Sequence, residues 1–260
     1  MPELPSVLYL AINLPSAEER RHAIQRQAEQ LGICIQMVPA VSGAELPADS
    51  GYDRTARRRA YSYDLLPNEI ACALSHRKAL RTFLDSSAEY AVIMEDDALL
   101  APHFNEGMRE LLLHLQGWQV AKLFTSDGGK LYPLLPQPTG ACIEPVFPKK
   151  LPWVAVGYLY SRAAAQLVHD KMQRFWLPAD AQIGHILLHE GIPTIGVTPS
   201  LIVSADPNNE NSTLDATAAR TATHPARSLL QYIRYRASVI RTARGKKRMR
   251  RMMSKRLSRR

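Results

Sequence analysis

Residues 7–12 form an unbroken apolar run, Val-Leu-Tyr-Leu-Ala-Ile, which has the length of a buried strand and ends in the polar turn Asn13-Leu14-Pro15-Ser16. Ser16, followed three residues on by Glu19, predicts a capping box. The helix behind it carries Ala23, Ile24, Ala28 and Leu31 at mostly helical spacing and stops at Gly32. A second run, Ile33 to Val38, completes a strand–helix–strand order that predicts a parallel α/β unit. Asn68 is the expected cap of a helix reaching about Leu84, and Tyr90–Met94 reads as a buried strand running directly into Glu95-Asp96-Asp97. The pattern continues with a helix near 104–115 and an apolar strand, Val120–Thr125, ahead of Asp127-Gly128-Gly129. Trp153–Ser161 is strand-like, and Arg162–Lys171 and Asp180–Glu190 are helical. Residues 42–66 and the proline-rich 131–152 read as connections, the first long enough to suggest function.

Composition adds little: 260 residues, 46% hydrophobic and 22% charged, suit one sizeable globular domain or two small ones. Charge changes the picture. The formal net charge is +9, yet residues 227–260 hold 14 Lys and Arg and no acid, leaving 19 basic against 24 acidic residues, a net of −5, in the rest. The expected division is a catalytic body over 1–215 and a basic tail over 216–260 that binds a surface. In the tail Leu230, Ile233, Ala237 and Ile240 fall on one helical face and Arg234, Arg236, Arg241 and Arg244 largely elsewhere, which suits an anionic membrane interface. A nucleic-acid-binding protein would spread basic residues and aromatics over the folded face, and the acidic body argues against it. No apolar run is long enough to span a bilayer, and no basic start with a long apolar run marks a secretory signal. Cys34, Cys72 and Cys142, odd in number and widely spaced, point to a reducing compartment.

Glu95-Asp96-Asp97 is the densest chemistry in the chain. Three adjacent carboxylates repel one another, and at the carboxyl end of a parallel strand they lie where α/β proteins bind ligands. If the strand alternation continues, Glu95 and Asp97 share one side and Asp96 takes the other. Such oxygens suit Mn²⁺ or Mg²⁺ bridged to a diphosphate; the bland alternative is an acidic turn with no metal. A phosphohydrolase would use the same pair, but the further acidic or His set it needs cannot be assembled from the chain. Arg20 and Arg21 could neutralise phosphate or form an exposed basic face. Glu69 could be a first-turn carboxylate favoured by the helix dipole. His185 and His189 have a chelating i, i+4 spacing without the Glu-x-x-His context of a metal helix.

Asn68-Glu69-Ile70-Ala71-Cys72-Ala73-Leu74-Ser75-His76, followed by an apolar strand and Glu95-Asp96-Asp97, resembles the signature of glycosyltransferase family 25, departing from it at Asn68 and Ala71. Ile12-Asn13-Leu14 with Arg20-Arg21, Pro39-Ala40-Val41-Ser42-Gly43, Gly157–Arg162 and Pro178-Ala179-Asp180 resemble further blocks of that family, over roughly residues 6–204. The resemblance implies a GT-A-like nucleotide-sugar-binding α/β fold with a mixed, mainly parallel central sheet. It also implies an inverting transfer of a sugar, best taken as galactose, from a UDP-sugar to a lipopolysaccharide-type, lipid-linked glycan. Glu95 and Asp97 are then the expected metal ligands for Mn²⁺ or Mg²⁺, and Asn13, Arg20, Glu69, Ser75, His76 and Asp96 the expected donor-binding residues. A single carboxylate must take the acceptor proton; Asp180 is the first candidate and Asp127 the second. The place of work would be the cytoplasmic face of a bacterial membrane, reached through residues 227–260.

Overall fold

The apolar runs build a central sheet whose alternation divides the core in two. The computed structural model describes residues 4–61, 63–125, 131–138, 140–148, 155–205 and 229–258, with the backbone alone at 148 and 229–241. The sheet order is β2 (Ile35–Pro39), β1 (Val7–Asn13), β3 (Tyr90–Glu95), β8 (Gly157–Ser161), β5 (Val120–Lys122), β9 (Thr194–Thr198), β7 (Glu144–Pro148) and β6 (Leu131–Pro133). Among the described residues six of these eight strands run one way; β8 and β7 run against them. The sheet is therefore mixed and mainly parallel in strand direction, as the sequence pattern and the family resemblance led one to expect. A separate antiparallel pair joins β4 (Ala98–Leu100) to β10 (Ile202–Ser204).

In a strand successive side chains face opposite sides, and the two core clusters follow that rule. Leu10 and Ile12, Ala91 and Ile93, and Tyr158 and Tyr160 join one cluster with α3 (Pro67–Leu84), α5 (Arg162–Lys171) and α6 (Ala179–His189). Ala11, Val92, Met94 and Leu159 join the other with α1 (Glu18–Leu31), α4 (Phe104–Leu113) and the end of α7 (Leu229–Leu257). Helices thus cover both faces, and the carboxyl ends of β1, β3 and β5 form one edge with the start of the reversed β8, since Met94 pairs with Gly157 and Lys122 with Tyr158.

Local chemistry sets the helix starts, in two cases differently from the sequence reading. α1 is capped by Ala17 with no side-chain bond, not by Ser16, and its acidic first turn, Glu18 and Glu19, complements the helix dipole. It does stop at Gly32, at φ +65°, where only glycine is free of strain. α3 opens with Pro67 at its first position, so Asn68 lies within the first turn, and the Glu69 carboxylate accepts the Leu66 N–H at 2.9 Å. A short α2 (Arg54–Ala60), capped by Asp53 through the Ala56 N–H at 2.8 Å, interrupts the stretch read as a connection.

The basic tail is attached more firmly than its composition suggests. Met249, Met253 and Leu257 are buried in the second core cluster, while Arg244, Lys247, Arg248, Arg251 and Lys255 face outward. The apolar face of these last turns is spent on the body and is not available to a lipid phase. Leu230, Ile233, Ala237 and Ile240 lie on the helix at positions whose side chains are outside the described residues, as is the expected division at 215/216. Among the described residues no helix is long and apolar enough to cross a membrane.

Candidate active site

The strand alternation ends at Glu95, and this decides where each acid goes. Glu95 continues the series Ala91, Ile93 and so faces α3, where His76 Nε2 lies 3.3 Å and Cys72 Sγ 4.0 Å from its Oε1. Asp96 turns to the α1 side. Its Oδ2 accepts the Asn13 amide N–H at 2.7 Å, and Arg20 Nη1 lies 3.4 Å from its Oδ1. Asn13, buried at the end of β1, also donates to the Ala17 carbonyl at 3.0 Å, which ties the acidic turn to the start of α1.

Asp97 departs from the expected geometry. Asp96 and Asp97 form a turn between β3 and β4, so Asp97 does not follow Glu95 in alternation. Its Oδ2 accepts the Ser204 hydroxyl at 2.7 Å and its carbonyl accepts the Ala205 N–H at 2.8 Å. Oδ1 is buried with no hydrogen-bond partner. Burial first, then the charge of Glu95, raises the Asp97 carboxyl above its ordinary range, against the lowering effect of Ser204.

Asp180 stands in the first turn of α6, where its Oδ1 accepts the Ala181 N–H at 2.6 Å. Burial pushes its carboxyl up to about 6, the Ala181 bond opposes this, and the charge of Glu95 raises it further; Lys122 and His76 pull it down. The charges of Glu95, Lys122 and His76 thus all act on Asp180 at the start of α6. Lys122 belongs to the same group and was missed by sequence reading. It is fully buried at the end of β5, with Nζ 5.2 Å from the centroid of the Tyr158 ring, and burial brings it down to about 8. The available signal was a lysine inside an otherwise apolar strand.

Two expected donor-binding residues have structural employment. Ser75 Oγ donates to the Ala71 carbonyl and accepts the Val41 N–H, both at 2.8 Å, and so holds the exit of β2 against α3. A Cβ on Gly43, in the same exit, would overlap the Asn68 side chain, so only glycine allows the close approach. Glu69 is buried in the capping interaction described above. Asp127 lies outside the described residues. His185 and His189 stack on each other with centroids 5.7 Å apart, and His185 meets the Trp176 ring edge-on.

A mainly parallel α/β sheet with three consecutive acids at the carboxyl end of its β3 strand has the layout in which α/β proteins bind ligands. The sequence adds a likeness to a known family. Residues 8–132 match the model of Glycosyltransferase family 25 (LPS biosynthesis protein). A "Glycosyltransferase 25 family member" of Drosophila pseudoobscura pseudoobscura is 31% identical over 103 residues, 36% of this chain and 16% of the relative. Proteins of the same description from Aedes aegypti and Drosophila melanogaster are 26% identical over 122 residues and 29% over 111, covering 42% and 39% of this chain and 19% and 18% of theirs. The matches thus span less than a fifth of the length of these curated relatives. The "crystal structure of a glycosyltransferase involved in the glycosylation of the major capsid of PBCV-1" aligns with a TM-score of 0.40 at 11% identity, covering 74% of this chain and 82% of that one.

Proposed function

We propose that the chain is an inverting glycosyltransferase that moves a sugar from a nucleotide diphosphate donor to a hydroxyl of a glycan acceptor. What carries this reading is Asp180, placed in the first turn of α6, where burial and the charge of Glu95 raise its carboxyl to about 6, in a chain whose residues 8–132 match family 25. A base poised about one unit below neutral is ionised at working pH and still basic enough to take the acceptor proton. The acceptor oxygen then attacks the anomeric carbon from the face opposite the nucleotide, forming the new glycosidic bond as the bond to the nucleotide diphosphate breaks. UDP-galactose is the preferred donor, and a lipid-linked glycan the preferred acceptor.

A divalent cation, Mn²⁺ or Mg²⁺, would be held by Asp97 and Glu95. The fit rests on the buried, unpartnered Oδ1 of Asp97 and on the mutual repulsion of the two acids, both of which a cation relieves. When bound it would neutralise charge developing on the leaving diphosphate. Asn13 and Arg20 fix Asp96 and thereby the turn that presents its neighbours. The outward arginines and lysines of the last turns of α7 support adsorption to an anionic membrane at the cytoplasmic face through charge.

The test is turnover of a panel of UDP-sugars with a soluble glycoside acceptor, with Mn²⁺ and with chelator, in the wild type and in Asp180→Asn. Transfer that inverts the anomeric centre and vanishes in Asp180→Asn is expected. Undiminished transfer by Asp180→Asn would remove Asp180 from the role of base, and no turnover of any donor by the wild type would refute the activity.

A further inference from the structure

Cys72 and His76 are one helical turn apart on α3 and present their side chains on one face. Glu95 reaches that face from β3. The thiol sulfur, the imidazole Nε2 and a carboxylate oxygen all lie within 4.8 Å of one another, and among the described residues this is the group of three ligand types so placed. His76 is 3% exposed and Cys72 half-buried, while the Glu95 side chain is 31% exposed. The carboxylate is thus the member of the set most open to solvent.

Both hydrogen bonds to Glu95 are long ones. A direct charge-assisted N–H···O bond closes to about 2.7–2.9 Å, whereas His76 Nε2 stops 3.3 Å from Glu95 Oε1 and Cys72 Sγ stops 4.0 Å away. A tetrahedral Zn²⁺ holding nitrogen and oxygen at about 2.0–2.1 Å and sulfur at about 2.3 Å sets N···O at about 3.3 Å and S···O at about 3.6 Å. The first separation is already met, and the second requires the side chains to move by a few tenths of an ångström. Burial first, then the charges of Glu95, Asp180 and Glu69, hold the Cys72 thiol protonated, so a cation would have to displace its proton on binding.

We infer that Cys72, His76 and Glu95 form a binding site for a borderline-soft divalent cation, Zn²⁺ above all, with three protein ligands and a fourth position open. Thiolate and imidazole select this class, whereas Mn²⁺ and Mg²⁺ prefer oxygen donors, so the site differs in chemistry from the Asp97–Glu95 pair proposed for the donor cation. Glu95 belongs to both, through Oε1 here, and Zn²⁺ at this site would restrain the carboxylate that the other cation needs.

Cobalt(II) titrated into the metal-free full-length chain tests the assignment, because thiolate-bound tetrahedral Co²⁺ announces itself by a near-ultraviolet charge-transfer band and intense visible bands. One equivalent is expected to bind, Zn²⁺ to displace it, and equal Mn²⁺ or Mg²⁺ to leave it in place. Cys72→Ser, nearly isosteric, is expected to abolish the charge-transfer band and weaken Co²⁺ binding more than about tenfold, with its melting temperature confirming the fold. The double variant Cys34→Ser/Cys142→Ser is expected to keep both, since those thiols are exposed and are not members of the set. A wild type with no charge-transfer band at saturating Co²⁺, or a band that survives Cys72→Ser, overturns the site. The readout contains no sugar nucleotide, so its failure and that of the proposed transferase activity are separate results.

Discussion

Glu95 and Asp96 are adjacent in the chain and opposite in their surroundings. On the α1 flank, Asp96 receives an amide N–H from a buried asparagine and sits near Arg20. On the α3 flank, Glu95 meets a histidine, a thiol and the field of Asp180, and it raises that carboxyl instead of being neutralised by it. The difference separates support from chemistry. A carboxylate whose lone pairs are satisfied holds a turn in place; a group of acids with too few partners stores a capacity to take up a cation or a proton.

The largest test of the contrast is Asp180→Asn, which is expected to lower kcat by about 10²–10⁴-fold with little change in donor KM, read from steady-state kinetics. Beside it, kcat/KM of the wild type should fall on the acid side with an apparent pKa of about 6, the value of Asp180 in the free enzyme. The same group costs stability in a definite direction. Its folded pKa lies above its unfolded one, so the penalty is absent below about pH 4, grows as pH rises, and is complete above about pH 6. Asp180→Asn should therefore be more stable than the wild type at pH 8, by at most about 3 kcal/mol, and the gain should vanish near pH 4 in denaturant titrations.

The Asp96 flank should respond with the opposite sign. Asn13→Ala removes a buried donor and leaves Asp96 short of a partner, an expected loss of about 1–3 kcal/mol in chemical denaturation. Glu95→Gln, which removes repulsion, should cost less than Asn13→Ala and shift the Asp180 stability step toward lower pH. Arg20→Ala should cost under about 1 kcal/mol, since the arginine is 39% exposed and its ion pair long. Equal losses in Asn13→Ala and Glu95→Gln would erase the distinction between the two flanks.

Much of this arrangement was legible in the chain. The first strand, its helix and the run into Glu95-Asp96-Asp97 show clear periods, and the helical readings at Arg162–Lys171 and Asp180–Glu190 fall on α5 and, within a residue at each end, α6. What stayed hidden has physical reasons. β4, β6 and β10 are three residues each, too short for a period, and Pro145 and Pro148 disguise β7. β9 was passed over behind Gly191 and Pro193. The turn at Asp96-Asp97 depends on β10, about a hundred residues on, whose Ser204 captures Asp97. Lys122 carries no local mark beyond an odd charge in an apolar strand; its meaning comes from Tyr158 and Asp180, which only the sheet and α6 bring near.

The docking of α7 bears on the order in which the molecule can be assembled. Synthesis proceeds from the amino end, and the face of the sheet covered by α3, α5 and α6 has all of its described partners once residue 192 is made. The opposite face waits for Met249, Met253 and Leu257 to join Leu111, Leu115 and Trp118. During that interval a nascent chain carries one closed layer and one apolar layer still partly bare, the condition in which ribosome-bound chains aggregate or recruit chaperones.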